Sequence, residues 1–470
     1  MLRARFRRLR AVVVVAALGG IGGTGPAAVG PLAGAVVAPH PLIAKHLTIP
    51  GHGNQPPTTA ECRAFFGISC YQPAQFQQAY NLLPLYAQGF NGAGRTIVIV
   101  DSFGSPTIKD DLKFFDRTFN LPDPPAFNII TPAGSIAFDN TNGDMLGWAF
   151  ETTLDVEWAH TIAPGANILL VETPVAETEG VQGFPEMMLS ENYVIDHNLG
   201  DVISQSFGAT EETFPTRQSL LNLRSAFKNA YRHKVTVLAG TGDTGSTNFK
   251  ADLTCCYPFQ VNSWPASDPL VTAVGGTQLH LDDAGNRMSP DNVWNDGFAA
   301  TGGGPSHVFA RPQFQNRVHN VVGSRRGTPD ISMSGACDGG VDVYINFFPN
   351  PADNGWYIIC GTSESSPLFA GIVAIADQMA GHRLGFLNDR LYRLHDQQPN
   401  GIVDVTAGNN AFTFCQASCG TPAEVDVAVP GFVAGPGYDM ASGLGTLDAN
   451  RFVRALVQND SGGGGNGGGD

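Results

Sequence analysis

Short apolar runs rich in β-branched residues, separated by stretches of helical period, constrain this chain more than any other feature. Thr96–Val100 (TIVIV), Asn167–Val171 (NILLV), Val202–Ser206, Val235–Ala239 (VTVLA) and Val271–Val274 are continuously apolar or nearly so, as expected of strands buried on both faces. Thr107–Phe119, Gly147–Ile162, Pro185–His197 and Thr216–His233 read as helices, the first opened by Ser105-Pro106 as N-cap and first helical residue. This alternation predicts an α/β fold: one large domain over residues 85–455, with a mainly parallel central sheet and helices on both faces. In such a sheet, functional residues gather at the carboxyl ends of the strands.

Composition narrows the partners. The 470 residues carry 42 Asp+Glu against 27 Lys+Arg, a net charge of −15, which argues against nucleic acid or an anionic membrane as the main partner. Arg3, Arg5, Arg7, Arg8 and Arg10 precede the apolar run Ala11–Leu18, and Ala33-Gly34-Ala35 offers a cleavage site. Residues 1–35 therefore read as a secretory signal peptide, which makes the mature protein extracellular and free of the membrane. An uncleaved anchor is the alternative, but Gly and Pro make Ala11–Ala38 a poor spanning helix. Residues 36–84 read as a lead-in or short pro-segment, and 456–470 as a Gly-rich flexible tail. Export permits disulfides. Cys62/Cys70 and Cys415/Cys419 are spaced as local pairs, Cys337 and Cys360 flank a strand-like segment, and Cys255-Cys256 is either a vicinal bridge or two half-partners.

The chemistry concentrates in three places. Ser363, in Cys360–Ala376 (CGTSESSPLFAGIVAIA), opens an apolar run of helical period. A hydroxyl there sits at the positive end of a helix, beside free N–H groups able to hold an oxyanion; the plain alternative is an ordinary N-cap. Glu151 and Asp155 stand four residues apart on Gly147–Ile162, about 40° apart around the helix, whereas His160 falls about 180° from Glu151. Like charges at that spacing disfavour a helix, but close carboxyls share protons and suit acid/base work at low pH. Asp243 lies in Gly240-Thr-Gly-Asp-Thr-Gly245 after a strand. The spacing matches a dinucleotide fingerprint, yet the strand is not first in the sheet and no convincing helix follows.

Together, Gly361-Thr362-Ser363-x-x-x-Pro367 with Gly371, and Trp264-Pro265-Ala266-Ser267 leading to Val271–Gly276, resemble the subtilisin-like peptidases. Glu151-x-x-x-Asp155 resembles their sedolisin, or serine-carboxyl, branch. That resemblance covers about residues 85–455, with its motifs in family order, and implies a subtilisin-like fold and a peptidase of proteins or peptides. It implies Ser363 as nucleophile, Glu151 as base, Asp155 as its orienting partner and Asp243 in the oxyanion hole. It also implies one Ca²⁺ in a C-terminal loop held by Asp404, Val405, Gly435, Gly437 and Asp439; oxygen donors of this kind suit calcium. Asp139–Asp144 is calcium-like only in composition and reads as a surface loop. One departure stands out: members of the branch usually carry a long inhibitory pro-domain, while under fifty residues separate Ala35 from residue 85. The rivals are a subtilisin-type triad of Asp101, His160 and Ser363, and a secreted pseudo-peptidase that binds proteins without cutting them. A monomer is expected.

Overall fold

The computed structural model describes residues 41–48, 53–397, 399–419, 421 and 423–461; residues 1–35, read from the sequence as a signal peptide, and the Gly-rich end lie outside them. The apolar runs form strands β1 (Thr96–Ser102), β3 (Asn167–Thr173), β4 (Val202–Gln205), β5 (Thr236–Gly240) and β6 (Thr272–Gln278). Three more strands complete an eight-stranded sheet: β2 (Phe127–Ile130), β7 (Asn292–Val293) and β8 (Ile331–Ser334). The order is β7-β6-β5-β4-β1-β3-β2, with β8 also on β6, and every pairing except β6–β7 is parallel.

Neighbouring residues of one strand feed opposite cores, as a sheet covered on both faces requires. In β1, Ile97 and Ile99 join a large cluster with Leu154, Ala159, Ile372 and Val373, whereas Val98 and Val100 join a second with Phe184, Phe227 and Trp264. The first face carries helices α1 (Ile108–Phe119), α2 (Gly143–Ile162) and α5 (Thr362–Ala380). The second carries α3 (Phe184–Asp196) and α4 (Ser225–His233). The segment read as one helix over Thr216–His233 is two, Arg217–Asn222 and α4, parted at Leu223-Arg224.

Helices α2 and α5 touch closely. A Cβ on Gly371 would come 2.6 Å from Ile162 Cβ, so only glycine admits this approach. A second sheet sits beside α5. Leu42–His46 pairs antiparallel with Gly355–Cys360, which pairs antiparallel with Gly340–Ile345, and that strand runs parallel to Cys70–Tyr71. Residues set apart as a lead-in are thus built into the body, and Phe76, Tyr80 and Leu82 are fully buried. At the other end, residues 456–461, grouped with the tail, complete a helix over Ala449–Ser461. The bridges are Cys62–Cys70, Cys255–Cys256, Cys337–Cys360 and Cys415–Cys419, a density that fits an oxidising compartment. Among the described residues, no helix is long and apolar enough to cross a membrane.

Candidate active site

β1 lies between β3 and β4, and the helices that follow them, α1 after β1 and α4 after β4, pack on opposite faces of the sheet. A crevice opens at such a switch point, and the chemically capable residues meet there. Helix α2 runs through the core, with everything from Trp148 to Ile162 buried. Its buried face therefore carries Glu151 and Asp155 inward, at 2% and 0% exposure. The strand Gly355–Cys360 hands the chain through Gly361 (φ 125°) to α5, and this left-handed turn sets Ser363 in the first turn of the helix.

Ser206, just past β4, links the parts. Its hydroxyl donates to Asp155 Oδ1 at 2.9 Å and lies 3.3 Å from the carbonyl oxygen of Ser363. Burial, and then the charge of Asp101, hold the carboxyl of Glu151 well above its usual range, while hydrogen bonds from the Ser363 and Ser206 hydroxyls act against the shift. Asp155 is raised by burial, then by Asp101 and Glu151, against its bond from Ser206. Three carboxyls packed together in a buried site cannot all ionise readily, so they hold protons in common.

Asp243 follows β5 and faces the start of α5. Its Oδ1 accepts from the Thr362 N–H at 2.8 Å and the Thr362 hydroxyl at 3.0 Å. Burial pushes its carboxyl up to about 6, against those two bonds. With Oδ1 occupied by donors, a proton on this group belongs on Oδ2, and a Cβ on Gly361 would lie 2.7 Å from that atom. The neighbouring glycines serve the same approach. The Gly242 N–H donates to Thr362 Oγ1 at 2.9 Å, and a Cβ on Gly240 would stand 2.9 Å from the Thr362 carbonyl oxygen. The dinucleotide-like spacing is thus a close packing of β5 on α5.

His160 is elsewhere. Fully buried on the far side of α2, its Nε2–H donates to the Pro122 carbonyl at 2.7 Å and lies 3.4 Å from Asp116. Burial lowers its pKa to about 4. The Asp101–His160–Ser363 triad does not assemble; Asp101 sits instead beside Glu151 and Asp155.

These features invite comparison with known proteins. The family model described as the subtilase family matches residues 130–387. The chain belongs to this family, on its sedolisin branch. Kumamolisin of Bacillus sp. (strain MN-32) is 31% identical over 404 residues, covering 84% of this chain and 65% of that protein. Xanthomonalisin of Xanthomonas sp. (strain T-22) is 26% identical over 484 residues, covering 94% and 53%. Human tripeptidyl-peptidase 1 is 29% identical over 328 residues, covering 65% and 52%. The chain thus spans about half to two thirds of these relatives' lengths. Among solved structures, Pseudomonas sedolisin, a serine-carboxyl proteinase complexed with pseudo-iodotyrostatin, superposes with a TM-score of 0.66 at 26% identity, covering 83% of this chain and 99% of that one. The α/β subtilisin-like architecture expected of this subtilase is therefore the one observed.

The C-terminal loop brings the calcium candidates together. The Gly437 N–H donates to Asp404 Oδ2 at 2.8 Å, and the Gly435 N–H to Asp439 Oδ2 at 3.0 Å. The Ser442 hydroxyl lies 3.1 Å from Asp439 Oδ1 and 3.4 Å from the Val405 carbonyl oxygen. Among the described residues, no Lys or Arg pairs with either carboxylate. Two carboxylates with backbone N–H donors but no cation beside them, next to the Val405 carbonyl, are the kind of oxygen donors a hard cation takes. The Asp139–Asp144 loop does something else, since Asn142 Oδ1 accepts from the Asp144 and Met145 N–H groups and caps α2.

Proposed function

We propose that this protein is a secreted serine-carboxyl peptidase that hydrolyses peptide bonds of proteins or peptides at acidic pH. The observation that carries this is the convergence, in one buried crevice, of Ser363 at a helix N-terminus with the α2 carboxyls and with Asp243. Serine is a weak nucleophile unless a base takes its proton. Glu151 accepts the Ser363 proton as Oγ attacks the scissile carbonyl, and returns it to the leaving amine. Asp155, fixed by Ser206, orients Glu151 and shares its proton. The tetrahedral oxyanion is held by the Ser363 N–H and by a proton on Asp243 Oδ2, both in place before the charge develops. Water then repeats the cycle on the acyl-enzyme.

Calcium, held by Asp404, Asp439 and the carbonyls of Val405, Gly435 and Gly437, would supply structural cohesion to the C-terminal loop.

Ser363→Ala and Glu151→Gln each abolish cleavage of a fluorogenic peptide library at pH 4, while circular dichroism and melting temperature stay near wild type. A fluorophosphonate probe labels the parent protein at Ser363. Full cleavage by either variant defeats the mechanism; an unlabelled, inactive parent points to the pseudo-peptidase.

A further inference from the structure

The second face of the sheet carries a surface that the cleft chemistry does not use. In a chain of net charge −15, residues 215–235 contain no acid but hold Arg217, Arg224, Lys228, Arg232 and Lys234. Arg224, the N-cap of α4, and Lys228 and Arg232 within it follow one another at four-residue intervals, so they share one side of the helix about 6 Å apart along its axis. Like charges at this spacing cost helix stability.

The cations line a shallow depression of about 550 Å³ with Gln218, Asn222 and Ser225; the Gln218 amide donates to Asn222 Oδ1 at 2.8 Å and Ser225 Oγ accepts from the Asn192 amide at 3.0 Å, which leaves the Asn222 amide and the Ser225 O–H to face a ligand. Their charges are unequally committed. Arg224 is fixed by a two-pronged bond to buried Asp268, Nε to Oδ2 at 2.5 Å and Nη2 to Oδ1 at 2.8 Å. Arg232 donates to the Asn229 side-chain carbonyl at 3.3 Å. The nearby Asp196 accepts from the Asn229 amide at 2.7 Å. Among the described residues, neither Lys228 nor Arg232 pairs with a carboxylate, and both are exposed.

We infer that this depression docks a polysaccharide bearing sulfate or phosphate esters. The cations supply the charge, and the Asn222 amide and Ser225 hydroxyl match sugar hydroxyls. The choice of strong-acid esters rests on the acidic working pH proposed above, where glycan carboxylates lose charge and sulfate or phosphate esters keep it. Phe227, Ala226 and Ala230 of α4 pack into the core opposite α2 and α5. A chain held here keeps its cleft free, so the surface would tether the protein beside its substrates.

The test is retention of the full chain on immobilised dextran sulfate, dextran phosphate, carboxymethyl dextran and plain dextran at pH 4.5, with Lys228→Gln/Arg232→Gln and, as control, Lys109→Gln/Lys113→Gln. Wild type and control bind the sulfate or phosphate resin and not plain dextran. The α4 variant elutes at lower salt, and its salt slope falls by about 1.5, as for two released counterions. Peptide hydrolysis by the α4 variant stays at the wild-type rate, so failure here is separable from failure of the peptidase reading. No retention of wild type, equal retention of the α4 variant, or binding only to vesicles of anionic phospholipid would overturn the inference. Sulfate and phosphate resins distinguish the two ester sources.

Discussion

Asp243 shows how one residue sets a pH requirement. Its Oδ1 is taken by two donors from Thr362, so it serves an oxyanion only while Oδ2 carries a proton. Burial raises the carboxyl to about 6; the donor is present below that value and disappears as pH rises through it. Activity should therefore fall about tenfold per pH unit above 6. Asp243→Asn keeps a donor that does not titrate, and is expected to move the alkaline limb of kcat upward. Asp243→Ala should lose about 10²–10³ in kcat at every pH. A full pH–rate profile of the three proteins separates these outcomes, and an unmoved limb in Asp243→Asn would assign it to another group. Local spacing makes part of this site legible, because helix geometry alone puts Glu151 and Asp155 on one side of the helix and His160 on the other, although it leaves the rival triad open. Asp243 is reached through resemblance. The link from Ser206 to Asp155 and the crowding by Asp101 are not legible, since they depend on which strand neighbours β1.

Strands and helices are readable where their pattern is strong and unreadable where nothing local marks them. β2 sits in a Pro-rich stretch, Leu121–Pro132, whose apolar residues are too few to announce a strand. The break in Thr216–His233 lacks any Gly or Pro, so packing alone decides it. The strand Leu42–His46 is hidden because its partner, Gly355–Cys360, lies more than 300 residues away. That strand supports the site, since Leu42 is opposite Cys360, immediately before Gly361. Deleting residues 41–48 removes this ladder, at about 1 kcal/mol per hydrogen bond. The expected result is a melting temperature several degrees lower and a reduced kcat, with KM less affected, measured on the same peptide substrate. An unchanged kcat would show that the turn at Gly361 holds without the strand. The C-terminal loop is a second supporting element. Excess EGTA should lower the melting temperature, since calcium at a hundredfold over its dissociation constant contributes about 2.7 kcal/mol. Asp439→Asn should melt lower and no longer respond to EGTA. A chelator-insensitive parent would remove the ion.

Across the whole molecule, acids are buried well beyond the crevice, and they bind protons in the same direction as Asp243. Asp101 on β1, Asp111 on α1, Glu191 on α3 and Asp377 on α5 are essentially buried. Burial raises their carboxyls to about 7, 7, 8 and 7. In the unfolded chain these groups release protons near pH 4. Between pH 4 and about 8 the folded state therefore binds more protons, and stability falls as pH rises through that window before levelling off. Buried His160, lowered to about 4, works the other way between 6.5 and 4, as one group against several. A tenfold difference in proton affinity between folded and unfolded chain is worth about 1.4 kcal/mol, so calorimetry should find the melting temperature highest near pH 4–5 and lower by roughly 5–10 °C at pH 8. Glu191→Gln removes one of these protons and should flatten the decline, because an amide at that position has nothing to ionise beside Gln205. Equal melting temperatures at pH 4.5 and 8 would mean that the interior does not feel the titration. The alkaline loss of activity would then belong to the crevice alone. A fall in melting temperature that tracks the loss of activity would instead make acidity a condition of the fold as well as of the chemistry.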